Sequence, residues 1–536
     1  MQSLHIKRWK RWTVLLLAVV MTVCSVGCSK KNNEETESGE ELPVISDTMG
    51  EALTGAYTAD KVFSLYVNPD TSLNPITVKS RENLLVCGLV YDTLFEVDET
   101  FSVSSRLVKE WENLDDGTTW IFKMDTTVPF HDGSTFTAYD AAYSINRARQ
   151  TGYYRGRLDV VYGVSALDSE TLMISLQYPD TQFPARLIIP VIKKDTINDA
   201  YSPGSGPYMF TEEMDRIVLF PEHPDAEEMP LDVIYLKDFS DPGMVLAAFE
   251  DSLVDLVTNE PLGLNNLGFA GVNEVRYYTT SSMHYLGFNS ESFLFCYPEC
   301  RYALGFALDR AAIVSGAMGG CAEAAPLPVC PTSALYDDVL SEALSYRPEQ
   351  SLREFAAAGV ADHDDDGKME YMLTGIPMEI EILFVVCNES TSKVEAAQRI
   401  TEEMQSMGFN VTLRSMNWDD YVEALDEGEY DMYYGEVLLT ADFDLTALVC
   451  TDGSMNYSEF SYSDCDQAVE TYLMADEDTR AAACRDMCET LARYAVIQPI
   501  CFEKHQVITH RGVVAGLTPN QYNVFRNFKD WTIDLG

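Results

Sequence analysis

Basic residues are scarce in this chain of 536 residues. Lysine and arginine together number 37, against 85 aspartates and glutamates, and the formal net charge at pH 7 is −48. A surface of this sign repels nucleic acid and anionic headgroups, so we expect no nucleic-acid partner. The same surface would concentrate cationic solutes near the protein. The need to keep an exposed protein soluble is nevertheless enough to explain the excess of acidic residues.

The motifs of the common enzyme chemistries are also missing. The sequence has no Gly-x-x-x-x-Gly-Lys loop for nucleotide phosphates and no Gly-x-Ser-x-Gly turn for a nucleophilic serine. Its histidines are scattered, without the His-x-x-x-His or Glu-x-x-His spacing of a metal site. His131 and Asp132 stand side by side, but without a nucleophile we interpret them as structural. We therefore expect no enzyme activity and no cofactor.

Long hydrophobic runs are absent except near the start. Residues 13–23 form an apolar run that follows a basic cluster and is too short to span a bilayer, as in a secretory signal peptide. Small residues precede Cys28, as in the box where bacterial lipoproteins are cleaved and acylated, although Ser25 replaces the usual leucine. We predict a signal peptide over 1–27, lipidation of Cys28 and a flexible acidic tether over 28–57.

The cysteine spacing favours no metal site. Of the 13 cysteines, Cys24 leaves with the signal peptide and Cys28 is acylated, so 11 remain and at least one is unpaired. Cys296-x-x-x-Cys300 and a similar pair near residue 484 lack CxxC spacing and a neighbouring histidine. We expect small buried thiols, some of them paired in a way that the sequence does not define.

The stretch over residues 430–449, YDMYYGEVLLTADFDLTALV, holds the main candidate binding residue. Residues 432–439 are apolar and long enough for one buried strand, and Asp442 follows between Ala441 and Phe443. A carboxylate there is costly to desolvate unless a cation or a hydrogen-bond donor meets it. Two interpretations remain open: Asp442 caps the following turn or helix, or it binds a ligand at a cleft.

An aspartate-rich turn imitates a calcium loop. Asp362, Asp364 and Asp366 occupy positions 1, 3 and 5 of an EF-hand pattern, with Gly367 at position 6. Position 12 is Leu373, so the bidentate glutamate is missing. We expect a solvated turn and no metal, with these three aspartates as weak candidates.

The second half of the chain alternates strands and helices. We predict a strand over 380–386, a helix over 394–407 that stops at Gly408, and a strand over 409–413. This order is typical of a parallel sheet with helices on its faces. Residues 301–317 carry apolar residues at helical spacing and predict a helix with Arg301, Asp309 and Arg310 facing away from the core.

Several segments together resemble one protein family. In order they are YDTLF, KEWE, DDGTTWIFKM and FHDGSTFTAYDAAYSINRA in residues 91–148, GSGPY at 204–208, YLGFN at 285–289, residues 301–313 and EALDEGEYD at 423–431. Their order and spacing resemble the oligopeptide- and dipeptide-binding proteins of ABC importers, bacterial solute-binding protein family 5. The resemblance covers nearly all of the chain after the tether.

The resemblance implies an α/β, two-lobed periplasmic-binding-protein-like fold of type II with an additional inserted domain. Lobe I would comprise residues 58–80, 202–282 and 506–536. The inserted domain II would comprise residues 81–201, and lobe II (domain III) residues 283–505. A chain of this length has room for several domain-sized units.

The resemblance also implies a binding site and partners. In the peptide binders the position of Asp442 pairs with the α-ammonium of the ligand, and Leu439, Asn456 and Tyr457 match positions near it. Leu439 stands where an oligopeptide binder has tryptophan, and Asp444-Leu445 where an acidic residue and proline are usual. A peptide ligand, ABC permease subunits, a lipid anchor outside the cell membrane and a monomeric state are expected. The alternatives are a nickel chelate, haem or oligosaccharide cargo, a peptide-sensing receptor and an extracellular hydrolase.

Overall fold

The structure, a computed structural model, describes residues 61–536 except 115–116, 200, 264–265, 267 and 269–272. The predicted signal peptide, Cys28 and the tether over 28–57 lie outside the described residues. Each helix in the described part of the chain is too short or too polar to cross a lipid bilayer.

The first half of the described chain contains two four-stranded sheets. Its strands are β1 (Ser64–Val67), β2 (Glu96–Val97), β3 (Val103–Ser104), β4 (Val108–Asn113), β5 (Thr119–Met124), β6 (Val161–Ala166), β7 (Thr171–Leu176), β8 (Tyr208–Phe210), β9 (Arg216–Leu219), β10 (Val233–Asp238) and β11 (Leu256–Asn259). One sheet has the order β1-β10-β9-β8, with β1 parallel to β10. The other has the order β4-β5-β7-β6, is antiparallel throughout, and lies within residues 81–201.

The second half is built on a seven-stranded sheet. Its strands are β12 (Asn273–Phe288), β13 (Ala322–Ala324), β14 (Val360–Ala361), β15 (Glu370–Leu373), β16 (Ile376–Glu379), β17 (Glu381–Cys387), β18 (Asn410–Met416), β19 (Met432–Leu438), β20 (Ile497–His510), β21 (Val514–Ala515) and β22 (Thr532–Ile533). The sheet order is β11-β20-β12-β19-β17-β18, with β13 also paired to β20. β14, β15 and β16 form a separate small sheet.

Helices pack around these sheets. They are α1 (Arg81–Val90), α2 (Ala138–Ala148), α3 (Gly152–Leu158), α4 (Pro242–Glu250), α5 (Pro298–Gly305), α6 (Arg310–Gly316), α7 (Asp338–Ala343), α8 (Pro348–Ala357), α9 (Thr391–Ser406), α10 (Trp418–Glu427), α11 (Thr446–Val449), α12 (Ser463–Met474) and α13 (Arg480–Tyr494). Short 3₁₀ helices cover Phe183–Arg186, Ala226–Glu228 and Phe528–Asp530.

The predicted strand–helix–strand unit is confirmed. β17 and β18 are parallel neighbours and α9 connects them. Gly408 follows α9 with φ +96°, a left-handed conformation that glycine adopts without the steric cost of a Cβ. β19 pairs in parallel with β17, so the predicted strand before Asp442 is confirmed as well and its end lies beside this unit.

Two long antiparallel strands join the predicted lobes. The predicted boundary at 282/283 falls inside β12, which has 16 residues, and the boundary at 505/506 falls inside β20, which has 14. Their ladder shifts register between Thr279 and Met283, close to the first boundary. Such an irregularity bends a strand locally. The division into lobes stays a prediction. With these boundaries the chain would pass between the two lobes within the continuous strands β12 and β20.

The helix predicted over 301–317 is interrupted, and its charged face is buried. α5 ends at Gly305 and α6 begins at Arg310, capped by Asp309. The prediction that Arg301 and Arg310 face away from the core is wrong, because both side chains are buried. Their guanidinium groups satisfy backbone carbonyls: Arg301 donates to three of them at 2.6–2.9 Å, and Arg310 to two at 2.8 and 3.1 Å. A buried arginine at helical spacing is therefore part of the core packing here.

Gly204 and Gly206 are needed for close packing. A Cβ on Gly204 would lie 2.1 Å from the carbonyl oxygen of Val90, and one on Gly206 2.7 Å from the Val90 carbonyl carbon. Neither glycine has a positive φ. Close contact with the end of α1, rather than an unusual backbone angle, therefore requires glycine at both positions.

The cysteines of the described residues are free thiols. Eight of the eleven are buried and three are partly exposed. The expectation of small buried thiols is confirmed, and the expectation that some are paired is wrong. These side chains serve as small apolar packing groups.

Candidate functional site

Asp442 lies just after β19 and is buried, with 1% of its surface exposed. Its cationic partner is Arg186, the last residue of the 3₁₀ helix Phe183–Arg186, and the Nε–Oδ2 distance is 2.5 Å. The two residues are 256 positions apart in sequence. The contact therefore joins the segment predicted as the inserted domain to the segment predicted as lobe II.

Two further carboxylates surround the same guanidinium. Arg186 Nη2 lies 2.5 Å from Asp444 Oδ2, and Arg186 Nε lies 3.2 Å from Asp180 Oδ2. The Tyr178 hydroxyl donates to Asp444 Oδ2 at 2.8 Å. The side chains of all four charged residues are at most 6% exposed. We call Asp180, Arg186, Asp442 and Asp444 the carboxylate cluster.

The carboxylate cluster holds more negative than positive charge. In the described residues, Arg186 is the one basic side chain in salt-bridge contact with its three aspartates. Burial and the neighbouring Asp442 charge raise the pKa of Asp180 well above its ordinary value, although Arg186 opposes them. Burial also acts to raise the pKa of Asp444, but Arg186 and hydrogen bonds from Thr446 outweigh it and lower that pKa. The cluster is thus a buried place where an additional cation would be favoured.

The backbone after β19 aims both aspartates at Arg186. Phe443, between them, has φ +54°, which is uncommon for a bulky residue. The Asp442 carbonyl accepts a hydrogen bond from the Tyr472 hydroxyl at 2.7 Å. Asp444 accepts a hydrogen bond at 2.8 Å from the amide of Thr446, the first residue of α11, although the N-cap residue of that helix is Leu445. Asp442 Oδ1 accepts from the Asp444 amide at 3.4 Å, so Asp442 both bonds to the following turn and meets a cation.

The other site residues predicted from the sequence lie near Asp442 in the chain and contact their own loop or the strands β12 and β19. Leu439 is buried, and its backbone exchanges hydrogen bonds with Ser281 at 3.0 and 2.7 Å. Asn456 is buried and donates to the carbonyls of Cys450 and Phe460 at 3.1 and 2.9 Å. The ring of Tyr457 lies 6.4 Å from that of Tyr433. These contacts give the three residues a structural role, and ligand contact stays a prediction for each.

The sequence interpretation missed Arg186 and Asp180 of the carboxylate cluster, and also Tyr178, which donates to Asp444. The available signal was composition: Arg186 is the only charged residue in the apolar run FPARLIIPVI, residues 183–192. A lone arginine in such a run indicates a buried ion pair, because an unpaired charge there is very costly. The identity of its partner is not encoded in the local sequence.

The two other polar motifs have structural contacts. His131 Nε2 lies 3.0 Å from the carbonyl oxygen of Gly206, whereas Asp132 pairs with Lys193 at 2.6 Å. His131 and Asp132 thus have separate partners, as expected for structural residues.

The aspartate-rich turn binds its own backbone. Asp362 accepts hydrogen bonds from the amides of Asp366 and Gly367, and Asp364 accepts from Asp366. Asp362 and Asp364, but not Asp366, lie near a third carboxylate, that of Glu370. The turn stays a weak candidate for a cation and is explained by its internal bonds.

The chain is similar in sequence to proteins that bind different solutes. A model of the bacterial extracellular solute-binding proteins, family 5 middle region, matches residues 102–449. The oligopeptide-binding protein AppA of Bacillus subtilis is 25% identical over 451 residues, 78% of each chain. The nickel-binding periplasmic protein of Escherichia coli is 24% identical over 82% of this chain and 88% of its own. The heme-binding protein A of Haemophilus influenzae is 22% identical over 63% and 67%.

Solved structures share the fold. HbpA2 from Haemophilus parasuis matches with a TM-score of 0.72 and 18% identity, covering 88% of this chain and 99% of that one. The B. subtilis AppA complex with a nonapeptide matches with a TM-score of 0.56 and 19% identity, covering 88% and 98%. At these identities the similarity establishes the architecture.

Proposed function

Because this chain belongs to the bacterial extracellular solute-binding proteins of family 5, we propose that it is the lipid-anchored receptor of an ABC importer for peptides. The family consists of solute-binding transporter components and is not an enzyme family. Membership of the chain in this family confirms the predicted family and the two-lobed α/β fold. In the proposed cycle the chain captures a peptide between its lobes and delivers it to membrane permease subunits.

The excess negative charge of the carboxylate cluster carries the peptide proposal. Three carboxylates share one guanidinium, and all are buried. The α-ammonium of a peptide would supply a second cation to this cluster. A buried ammonium–carboxylate pair is stronger than an exposed one, provided that both partners are present.

Arg186 defines how the ammonium would enter. Arg186 Nε lies between Asp442 and Asp180, while its Nη2 binds Asp444. If an ammonium took Asp442, Arg186 would keep its contacts with Asp180 and Asp444. The arginine therefore acts in this proposal as a replaceable cation at Asp442, and the exchange leaves no carboxylate without a positive neighbour.

The anchor is proposed from the sequence. Acylation of Cys28 and the acidic tether over residues 28–57 would hold the receptor on the outer side of the cell membrane, close to the permease. A monomer suffices for this function, since one chain supplies both predicted lobes.

A second cargo class is favoured by a specific comparison. The nickel-binding and heme-binding relatives resemble this chain about as closely as the oligopeptide-binding one. A nickel chelate or haem is therefore the alternative cargo, whereas oligosaccharide import and peptide sensing have no comparable support.

The test compares one peptide with its N-acetylated form. We expect Asp442→Asn to weaken binding of the free peptide by about tenfold or more, the loss of one charge-assisted pair. Binding of the acetylated peptide should be equally weak in both proteins. Isothermal calorimetry against a mixed-length peptide library, with nickel–histidine and haem in parallel, gives the affinities.

A matched control separates charge from position. Asp132→Asn removes an equal charge from a surface pair and should leave peptide affinity unchanged. Unchanged affinity in Asp442→Asn would remove Asp442 from the site. Tight binding of nickel–histidine or haem, without any bound peptide, would replace the peptide proposal by the alternative cargo.

A further inference from the structure

Three side chains of types that can bind metals, His284, Glu436 and Glu503, meet on the neighbouring strands β12, β19 and β20. His284 lies directly opposite Glu436 in the β12–β19 ladder, and opposite Cys501 in the β12–β20 ladder. Glu503 is two residues beyond Cys501 and therefore points to the same face of the sheet. One ligand atom from each of the three side chains lies within 4.8 Å of the others. We propose that His284, Glu436 and Glu503 bind a first-row divalent transition metal, represented by Zn²⁺.

The donor set fits such an ion better than calcium or magnesium. One imidazole nitrogen and two carboxylates form a three-ligand set that zinc accepts, with bonds of about 2.0–2.2 Å and a fourth position open. Calcium and magnesium prefer oxygen ligands throughout. Donor atoms around zinc lie roughly 3–3.5 Å apart, given those bond lengths. The three ligand atoms lie within 4.8 Å of one another, so they would have to move closer together to bind the ion.

His284 is held in an orientation that suits a ligand. Its side chain is fully buried, with Nδ1 2.9 Å from the Tyr434 hydroxyl and Nε2 2.8 Å from Glu503 Oε1. The contact with Glu503 places a proton on Nε2 in the metal-free protein. A metal at Nε2 would displace that hydrogen bond and require the tautomer with its proton on Nδ1, where the Tyr434 oxygen can accept it. Such a partner on the second nitrogen fixes the ring of metal-binding histidines.

Lys393 is the resident cation of this cluster. Its ammonium forms a salt bridge with Glu436 Oε2, while the Ser282 hydroxyl donates to Glu436 Oε1 at 2.6 Å. A metal ion would compete with Lys393 for Glu436. Removing the lysine should therefore strengthen metal binding. If the cluster had only a structural role, removing the lysine would not increase the affinity for a metal.

Calorimetric titration with ZnCl₂ tests the proposal on the mature chain, freed of affinity tags and stripped with a chelator. We expect one equivalent of Zn²⁺, with affinity at least tenfold weaker in Glu436→Gln and in His284→Gln. Glu436 is partly exposed, so its variant should fold even if the His284 variant does not. Lys393→Met should bind about tenfold tighter, as expected for loss of one charge-assisted competitor.

Two controls distinguish the site from other acidic groups. Lys504→Met removes an equal charge from a neighbouring pair with Glu323 and should leave zinc affinity unchanged. Asp362→Asn alters the aspartate-rich turn and should also leave it unchanged. Absence of zinc binding by the unaltered chain, loss of binding in Asp362→Asn, or equal effects of Lys393→Met and Lys504→Met would each overturn the proposal. None of these variants touches Asp442, so the outcome is independent of the peptide proposal.

Discussion

Replacing Arg186 by methionine removes the guanidinium that the three aspartates of the carboxylate cluster share. Methionine keeps much of the apolar length of the side chain, so the main change is electrostatic. At neutral pH, Asp442 and Asp444 would stay buried without their cation. Breaking a buried ion pair by removing one partner costs about 3–5 kcal/mol. We expect Arg186→Met to lower the free energy of unfolding by that amount at pH 7.5.

The loss should depend on pH in a defined direction. In the unaltered chain, Arg186 helps to keep the pKa of Asp444 low, so this carboxylate contributes stability above its unfolded pKa of about 3.9. That contribution is lost as pH falls through the lower folded pKa. Without Arg186, burial would act to raise the pKa of Asp444, and ionisation of this carboxylate would destabilise the fold as pH rises. The difference between variant and unaltered chain should therefore shrink from pH 7.5 to pH 4.

Urea unfolding followed by circular dichroism at the two pH values measures this difference. Asp180→Asn is the matched control, because it removes the carboxyl whose pKa is already raised by burial and by Asp442. We expect it to leave stability unchanged or to increase it. A loss below about 1 kcal/mol in Arg186→Met, or an equal loss at both pH values, would refute the reasoning, since a buried unpaired charge costs more.

Two further predictions concern the framework. Gly204→Ala should destabilise the fold by about 1–3 kcal/mol, an overpacking cost, because its Cβ would lie 2.1 Å from the Val90 oxygen. Gly163→Ala is the control and should not destabilise the fold, because no atom lies within 4 Å of its added Cβ. Similar urea midpoints for the two variants would contradict this prediction. Burial lowers the pKa of His131 to about 4, so its contribution to stability is present above pH 6.5 and lost as pH falls toward 4. His131→Gln should lose less stability than the unaltered chain between pH 7.5 and 4.5, and parallel urea midpoints would argue against it.

Local patterns predicted the elements whose burial has a simple period. Residues 119–124, TWIFKM, form β5, in which Trp120, Phe122 and Met124 are buried at every second position. The helical spacing in residues 394–407 corresponds to α9. In both cases one face packs and the other is solvated, so the sequence carries the signal directly.

The same rule failed where charged residues are buried. The helical spacing places Arg301 on a solvated face, where arginine usually lies. In the structure it donates to the carbonyls of Phe295, Tyr494 and Ala495, and its guanidinium carbon lies 3.9 Å from the Phe460 ring centre. The carbonyls of Tyr494 and Ala495 belong to one segment, 193 and 194 residues from Arg301, whereas Phe295 is six residues away. Periodicity cannot reveal them, because it describes one helix and not its neighbours.

Of the binding residues predicted from the sequence, Asp442 is the one that lies in the carboxylate cluster. Asp442 was identified from its position after an apolar strand and from the family resemblance. Its partner Arg186 lies 256 residues away, so no local pattern links the two. Long-range charge pairing is decided by the fold, whereas the strand that delivers Asp442 is decided by nearby residues.

The scarcity of basic residues makes the role of each buried arginine consequential. Arg301 and Arg310 satisfy carbonyl oxygens, which carry no charge, and so leave the electrostatic balance of their surroundings positive. Arg186 instead faces three carboxylates and leaves its surroundings negative. A cationic ligand would therefore be repelled from the first two sites and attracted to the third. This difference, rather than the overall charge of −48, is what would direct a peptide amine to Asp442.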